Sequence, residues 1–140
     1  MQIKNNHPLL AARVLIALVL GWNLQCAAAF IISPQAYMGG FGLEGGAGKQ
    51  MVRTLGLLFV MWNVPYAFAL ADPIRNRVSL IEALLMQSIG LVGETLILLL
   101  GGPYPALIQA AITRFMLFDG VGLVLLAAAF LLLQVKKEAV

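Results

Sequence analysis

Four long apolar runs, Leu9 to Ile32, Met51 to Ala71, Leu80 to Leu100 and Ala106 to Gln134, take up most of this 140-residue chain. At about 1.5 Å rise per residue, each is long enough as a helix to cross a hydrocarbon core of roughly 30 Å. The pattern predicts an all-α fold: a four-helix transmembrane bundle, one domain over residues 1–140. The composition agrees, with 61% hydrophobic residues, 11% charged residues and a mean hydropathy of +0.94. A soluble domain of 15.0 kDa has too small an interior to hide that much apolar surface.

Several function classes are excluded at this level. The net charge of +3 comes from nine Lys and Arg residues scattered along the chain, which reads as membrane orientation and not as nucleic-acid binding. Cys26 is the single cysteine, so no internal disulfide or dithiol couple can form within one chain. His7, the single histidine, precedes the first span and cannot supply the axial ligands of a buried haem. Lys4, the first apolar run and Ala27 to Ala29 imitate a secretory signal, but Arg13 interrupts the run and its length suits a span. Asn23, Leu24 and Gln25 before Cys26 are not the small residues that lipoprotein processing favours.

Charge sets the expected orientation. Lys4 and Arg13 flank the start of the first span, Arg75 and Arg77 lie between the second and third, and Lys136 and Lys137 end the chain. The opposite side has only Lys49 and Arg53 in or beside the first loop, so the positive-inside rule places both termini in the cytoplasm. Tyr37 and Tyr104 are then expected at the outer interface and Tyr66 near the inner one.

Ser79 to Glu82 reads as a capping box that starts the third helix, and Asp72–Pro73 as the stop of the second. Gly101, Gly102, Pro103 and Pro105 form a tight outer turn, so the last three spans are expected as sequential antiparallel neighbours. Residues 33–50 form a glycine-rich but apolar outer loop that would lie among headgroups or fold over the outer mouth. Gly40, Gly42 and Gly45 satisfy the spacing of a dinucleotide motif, but no strand precedes them. Gly48-Lys49-Gln50 fails as a phosphate loop, since Leu43 stands where the first glycine belongs and Gln50 replaces Ser or Thr.

Polar residues inside the spans are the candidates for function, because a charge at the bilayer centre costs roughly 2.5–3.5 kcal/mol on insertion scales. Glu94 and Arg114 are expected at matched depth, about 10 Å below the outer surface, on adjacent helices. They form either a buried ion pair that sets register or a contact for a polar headgroup. Helical periodicity groups Ser79, Ala83, Gln87, Gly90 and Glu94 on one face of the third helix, which should point inward. It also groups Arg53, Gly56, Val60, Asn63 and Ala67 on the second helix, and Gln109, Thr113, Met116 and Gly120 on the fourth. These faces serve as packing glue, or they line a pocket open to the outer leaflet and rimmed by Arg53, Glu94 and Arg114. Asp119 lies about 140° around the helix from Arg114, so it needs another partner such as Asn63, or it keeps its proton. Asn23, Gln25 and Trp62 complete a polar wall or pair among themselves. The candidate ligand-binding set is Arg53, Asn63, Gln87, Glu94, Arg114 and Asp119.

The runs Arg53 to Phe59, Trp62-Asn63-Val64-Pro65-Tyr66 and Glu82 through Gly90 to Glu94 resemble the DoxX-like superfamily of small four-helix bacterial membrane proteins, including its BphX-type members. The resemblance implies an accessory or ligand-holding role in a bacterial inner membrane, beside quinone-linked or oxidative-stress systems, and carries no catalytic assignment onto Glu94 or Arg114. No segment has a diagnostic catalytic motif, and no catalytic or metal-binding residue is assigned. The expected function is a non-catalytic membrane protein, either an accessory subunit or a bundle that binds lipid or quinone without a fixed cofactor. Its partners would be the bilayer, other membrane subunits or further copies of itself. The alternatives are a small oligomeric transporter or channel that uses Asp119, or an intramembrane lipid-modifying enzyme with Glu94 as acid or base.

Overall fold

A computed structural model describes residues 7–138, with side chains as far as residue 134. Lys4 lies outside the described residues, as do the side chains of Lys136 and Lys137. The described chain is helical, with no strand. Helix α1 spans His7–Ile32, α2 Gly45–Trp62, α3 Val64–Ala71, α4 Arg77–Leu100 and α5 Ala106–Glu138. Two 3-10 turns, Pro34–Ala36 and Met38–Phe41, follow α1. Helices α2 and α3 form one span of residues 45–71, so four helical segments are long and apolar enough to cross a membrane. The exterior is apolar, with Ile89, Leu99 and Leu100 more than two-thirds exposed, while Asn23, Asn63 and Gln87 are buried. Such an inverted distribution is stable only where the surroundings are as apolar as the side chains.

The second span breaks at Asn63 because Pro65 has no N–H to give to the preceding turn. Asn63 Nδ2 folds back onto the preceding turn and donates at 2.6 Å to the Phe59 carbonyl, which also accepts the Asn63 N–H at 3.2 Å. This break decides the shape of the bundle. Beyond it α3 packs against α4, whereas no Cα of α2 comes within 8 Å of α4. The last three spans are therefore not simple sequential neighbours. The second meets the third along its α3 half alone, and α1 and α5 both pack along their neighbours to close the rest of the ring.

At the end that holds the chain termini, the interior is solid. Ala12, Ile16, Val19, Tyr66, Ala69, Leu80, Ala83, Leu126 and Ala129 form one buried cluster. Arg13 Nη2 donates to the Ala71 carbonyl at 2.7 Å and so satisfies the C-terminal end of α3, where a cation also complements the helix dipole. Arg77 lies over the Phe130 ring, 4.9 Å from its centroid. The Asp72–Asn76 connection is an Asx turn in which Asp72 Oδ1 accepts from the Ile74 and Arg75 amides at 3.1 and 3.0 Å. The Arg75 N–H, aided by the charges of Arg13 and Arg75, holds the Asp72 carboxyl below its usual pKa.

Three local expectations are corrected here. Helix α4 begins at Arg77 with Asn76 as its N-cap, so Ser79 lies inside the first turn and Glu82 in the second, and they form no capping box. Tyr66 is 2% exposed and belongs to the core, not to an interface. The glycine-rich loop ends at Glu44, because Gly45 to Gln50 already form the first turns of α2. The turn Met38–Phe41 lies against α5, and at Gly42, which follows it with φ +66°, a Cβ would stand 3.2 Å from Ile108 Cδ1. Only glycine combines that close approach with the left-handed conformation.

Candidate functional site

Where α2 leaves α4, the bundle interior is hollow. A cavity of about 310 Å³ lies there, bounded by α1, α2, α3, α4, α5 and the loop. Its roof is aromatic. Phe30 sits 5.6 Å from Phe59, 5.7 Å from Phe41 and 6.2 Å from Phe115 between ring centroids, and Trp62 stands 5.4 Å from Phe59. Phe41 comes from the loop, so the turn Met38–Phe41 covers the mouth, as the sequence led one to expect.

The floor is polar. Tyr66 donates its hydroxyl hydrogen to Gln87 Oε1 at 2.9 Å, with the Ala83 carbonyl at 3.3 Å as an alternative acceptor, and Gln87 Nε2 points to the Asp119 carbonyl at 3.4 Å. Gln87 is 13 residues from the end of α4 at Leu100, which puts the floor about 20 Å along the helix. Asp119 reaches the cavity because residue 90 is glycine: a Cβ there would collide with its carboxylate. Glu94, one turn further along α4, lines the same space, and the two acids are close enough for their charges to interact.

Two buried polar atoms at this cavity have no partner. Asn23 and Asn63, 8% and 4% exposed, both line it, and the Oδ1 of each makes no hydrogen bond. An orphaned buried acceptor costs about 1–3 kcal/mol. Native interiors rarely retain one unpaired, and a buried water, an ion or a bound group supplies the missing donor.

Of the six candidate residues, four meet here: Asn63, Gln87, Glu94 and Asp119. The other two do not. Arg114 is exposed in a separate groove between α1 and α5 with Gln25, Gln109 and Thr113, and no ion pair joins it to Glu94. Arg53 is exposed on α2 and lines neither space. The expected rim of Arg53, Glu94 and Arg114 is thus replaced by two acids without a base.

The inward face was read correctly for α4, where Ala83, Gln87, Gly90 and Glu94 turn inward, and in part on the second span, where the expected Gly56 and Asn63 are buried. On the second span the buried positions are Gly48, Val52, Gly56, Asn63, Tyr66 and Ala69, while Arg53, Val60 and Ala67 face out. On α5, Gln109 and Thr113 face the outer groove. Asn23 and Trp62 do join the polar cavity, whereas Gln25 does not. Phe30, Phe41, Phe59, Phe115 and Phe118 were not anticipated. These rings are scattered over three spans and the loop, and the leucines around them masked their convergence. Comparison of the chain with protein-family models, curated proteins and solved structures finds no match.

Proposed function

We propose that this protein is a non-catalytic, membrane-embedded binding protein, an accessory component that takes an amphiphilic molecule sideways from the bilayer into the cavity between α2 and α4. The observation that carries this reading is the pair of orphaned amide oxygens, Asn23 Oδ1 and Asn63 Oδ1, at an aromatic-roofed hollow. Their chemistry selects a head that donates hydrogen bonds, such as a lipid hydroxyl or the reduced form of a quinone. An oxidised quinone offers only acceptors and would leave both amides unpaired. With both termini cytoplasmic, as the basic residues argue, the mouth opens toward the outer leaflet of a bacterial inner membrane. Membership of the DoxX-like group is part of the same proposal.

Native mass spectrometry of the chain released from lipid nanodiscs tests the reading. The wild type should carry an added small-molecule mass, and Leu55→Trp, which fills the gap beside α2, should lose it while remaining folded. A wild-type protein of bare chain mass, with no retained molecule under mild activation, refutes it. One observation favours a second reading as a transporter: the span broken at Asn63 resembles the interrupted helices that bind substrates at mid-membrane. Proteoliposome flux that disappears in Asp119→Asn would support transport, and unchanged flux would remove it.

A further inference from the structure

We infer that the molecule held in the cavity is a lipophilic organic cation, a protonated amine on an apolar body. This inference rests on the binding reading above and names its ligand class. The cavity wall carries two carboxyl groups, Glu94 and Asp119, and no Lys or Arg. Among the described residues, neither carboxyl has an ion-pair partner. Arg114, in the neighbouring groove, shares Cys26, Phe30, Phe115 and Phe118 as its boundary with the cavity and lies on their far side.

Three independent features converge on the same charge sign. The carboxyl groups call for positive charge. Phe59, Trp62 and Phe115 line the wall, and an aromatic ring attracts an ammonium group over its face, where an anion is repelled. The free oxygens of Asn23 and Asn63 accept N–H donors, and a primary ammonium brings three. A neutral hydroxyl would satisfy one of these acceptors and leave both acids uncompensated in a hydrocarbon setting. An anionic head would add a third negative group. The gap between α2 and α4 admits such a molecule directly from the bilayer, where amphiphilic amines concentrate, and about 310 Å³ accommodates an arylalkyl body.

The test compares phenylpropylammonium with the uncharged phenylpropanol, two probes of one skeleton, titrated at neutral pH into the full chain in a mild detergent. Binding is read by calorimetry and by tryptophan fluorescence in a Trp22→Phe background, where Trp62 is the single fluorophore of its kind. The ammonium probe should bind at least about tenfold more tightly than the alcohol. Glu94→Gln, at a half-buried position, and Asp119→Asn should each reduce that preference, and together should bring the two probes within about twofold. Far-UV circular dichroism and the melting temperature of each variant show that it is folded, independently of either probe. Equal or tighter binding of the alcohol by the wild type overturns the cation and leaves the binding reading standing. A preference that survives in the double variant overturns the role of the acids. Binding of neither probe, with a native mass spectrum that also shows the bare chain, removes both readings.

Discussion

Substituting Gly56 by alanine should destabilise the protein, whereas the same change at Gly93 or Gly21 should stabilise it. At Gly56 the added methyl would stand 2.8 Å from Ile31 Cγ1, 2.9 Å from the Ala27 carbonyl oxygen and 3.0 Å from Phe30 Cβ. Comfortable carbon contacts begin near about 3.5 Å, so α1 and α2 must separate by roughly half an ångström or more along a seam where Ala27 and Phe30 are essentially unexposed. Overpacking of this kind costs about 1–3 kcal/mol, against which the better helix propensity of alanine returns about 1 kcal/mol. At Gly93 and Gly21 nothing lies within 4 Å of the added carbon, so the propensity gain stands alone. The two sites should therefore differ by about 1–3 kcal/mol. For a chain of this size that corresponds to a gap in melting temperature of about 3–12 °C. Thermal unfolding followed by far-UV circular dichroism in one detergent measures it. If Gly56→Ala melts level with Gly93→Ala, the close seam between α1 and α2 does not exist and the placement of the cavity wall built on it fails.

Other substitutions probe the site and the turn. Tyr66→Phe removes the hydroxyl that holds Gln87 and should cost about 0.6–1.7 kcal/mol, the range measured for hydrogen bonds between membrane helices; a neutral result in the same melting assay would show that the floor is not a network. Asn23→Leu should weaken retention of the bound molecule, because it removes an acceptor oxygen that no described residue pairs. A variant fully competent to bind would contradict this. Asp72 has a lowered folded-state pKa, so its contribution to stability is complete above the ordinary value of 3.8 and disappears as pH falls below it. Asp72→Ala should flatten that acid limb in a plot of melting temperature against pH, and an unaltered limb would disprove the assignment.

The spans were legible because a run of some twenty apolar residues has few other uses, and the inward face of α4 was legible because Gln87, Gly90 and Glu94 stand out from the Leu and Ile around them. The face of α2 was legible only in part, and that of α5 was not. These helices are apolar all round, and lipid outside is as apolar as the packing inside, so periodicity has little contrast to detect. Arg53 and Arg114 were drawn inward on the assumption that charge seeks the interior, yet both are exposed. Pro65 announces the break at Asn63, but reading residues 51–71 as one straight span hid it. The unbroken phase then carried Val60 and Ala67 onto the wrong face. The meeting of Asp119 with Glu94 depends on the missing side chain at Gly90, a relation across two helices that no single-helix pattern contains.

The interruption at Asn63 divides one membrane crossing into parts under different restraint. The shorter part, α3, is anchored by Arg13 and by its packing on α4. The longer part, α2, is held by α1 and the loop, with no partner across the gap. The close seam at Gly56 ties this longer part to α1, so one crossing is held by two different sets of neighbours on either side of its break. In the binding role proposed above, the space left between those two restraints is where the apolar body of the ligand enters.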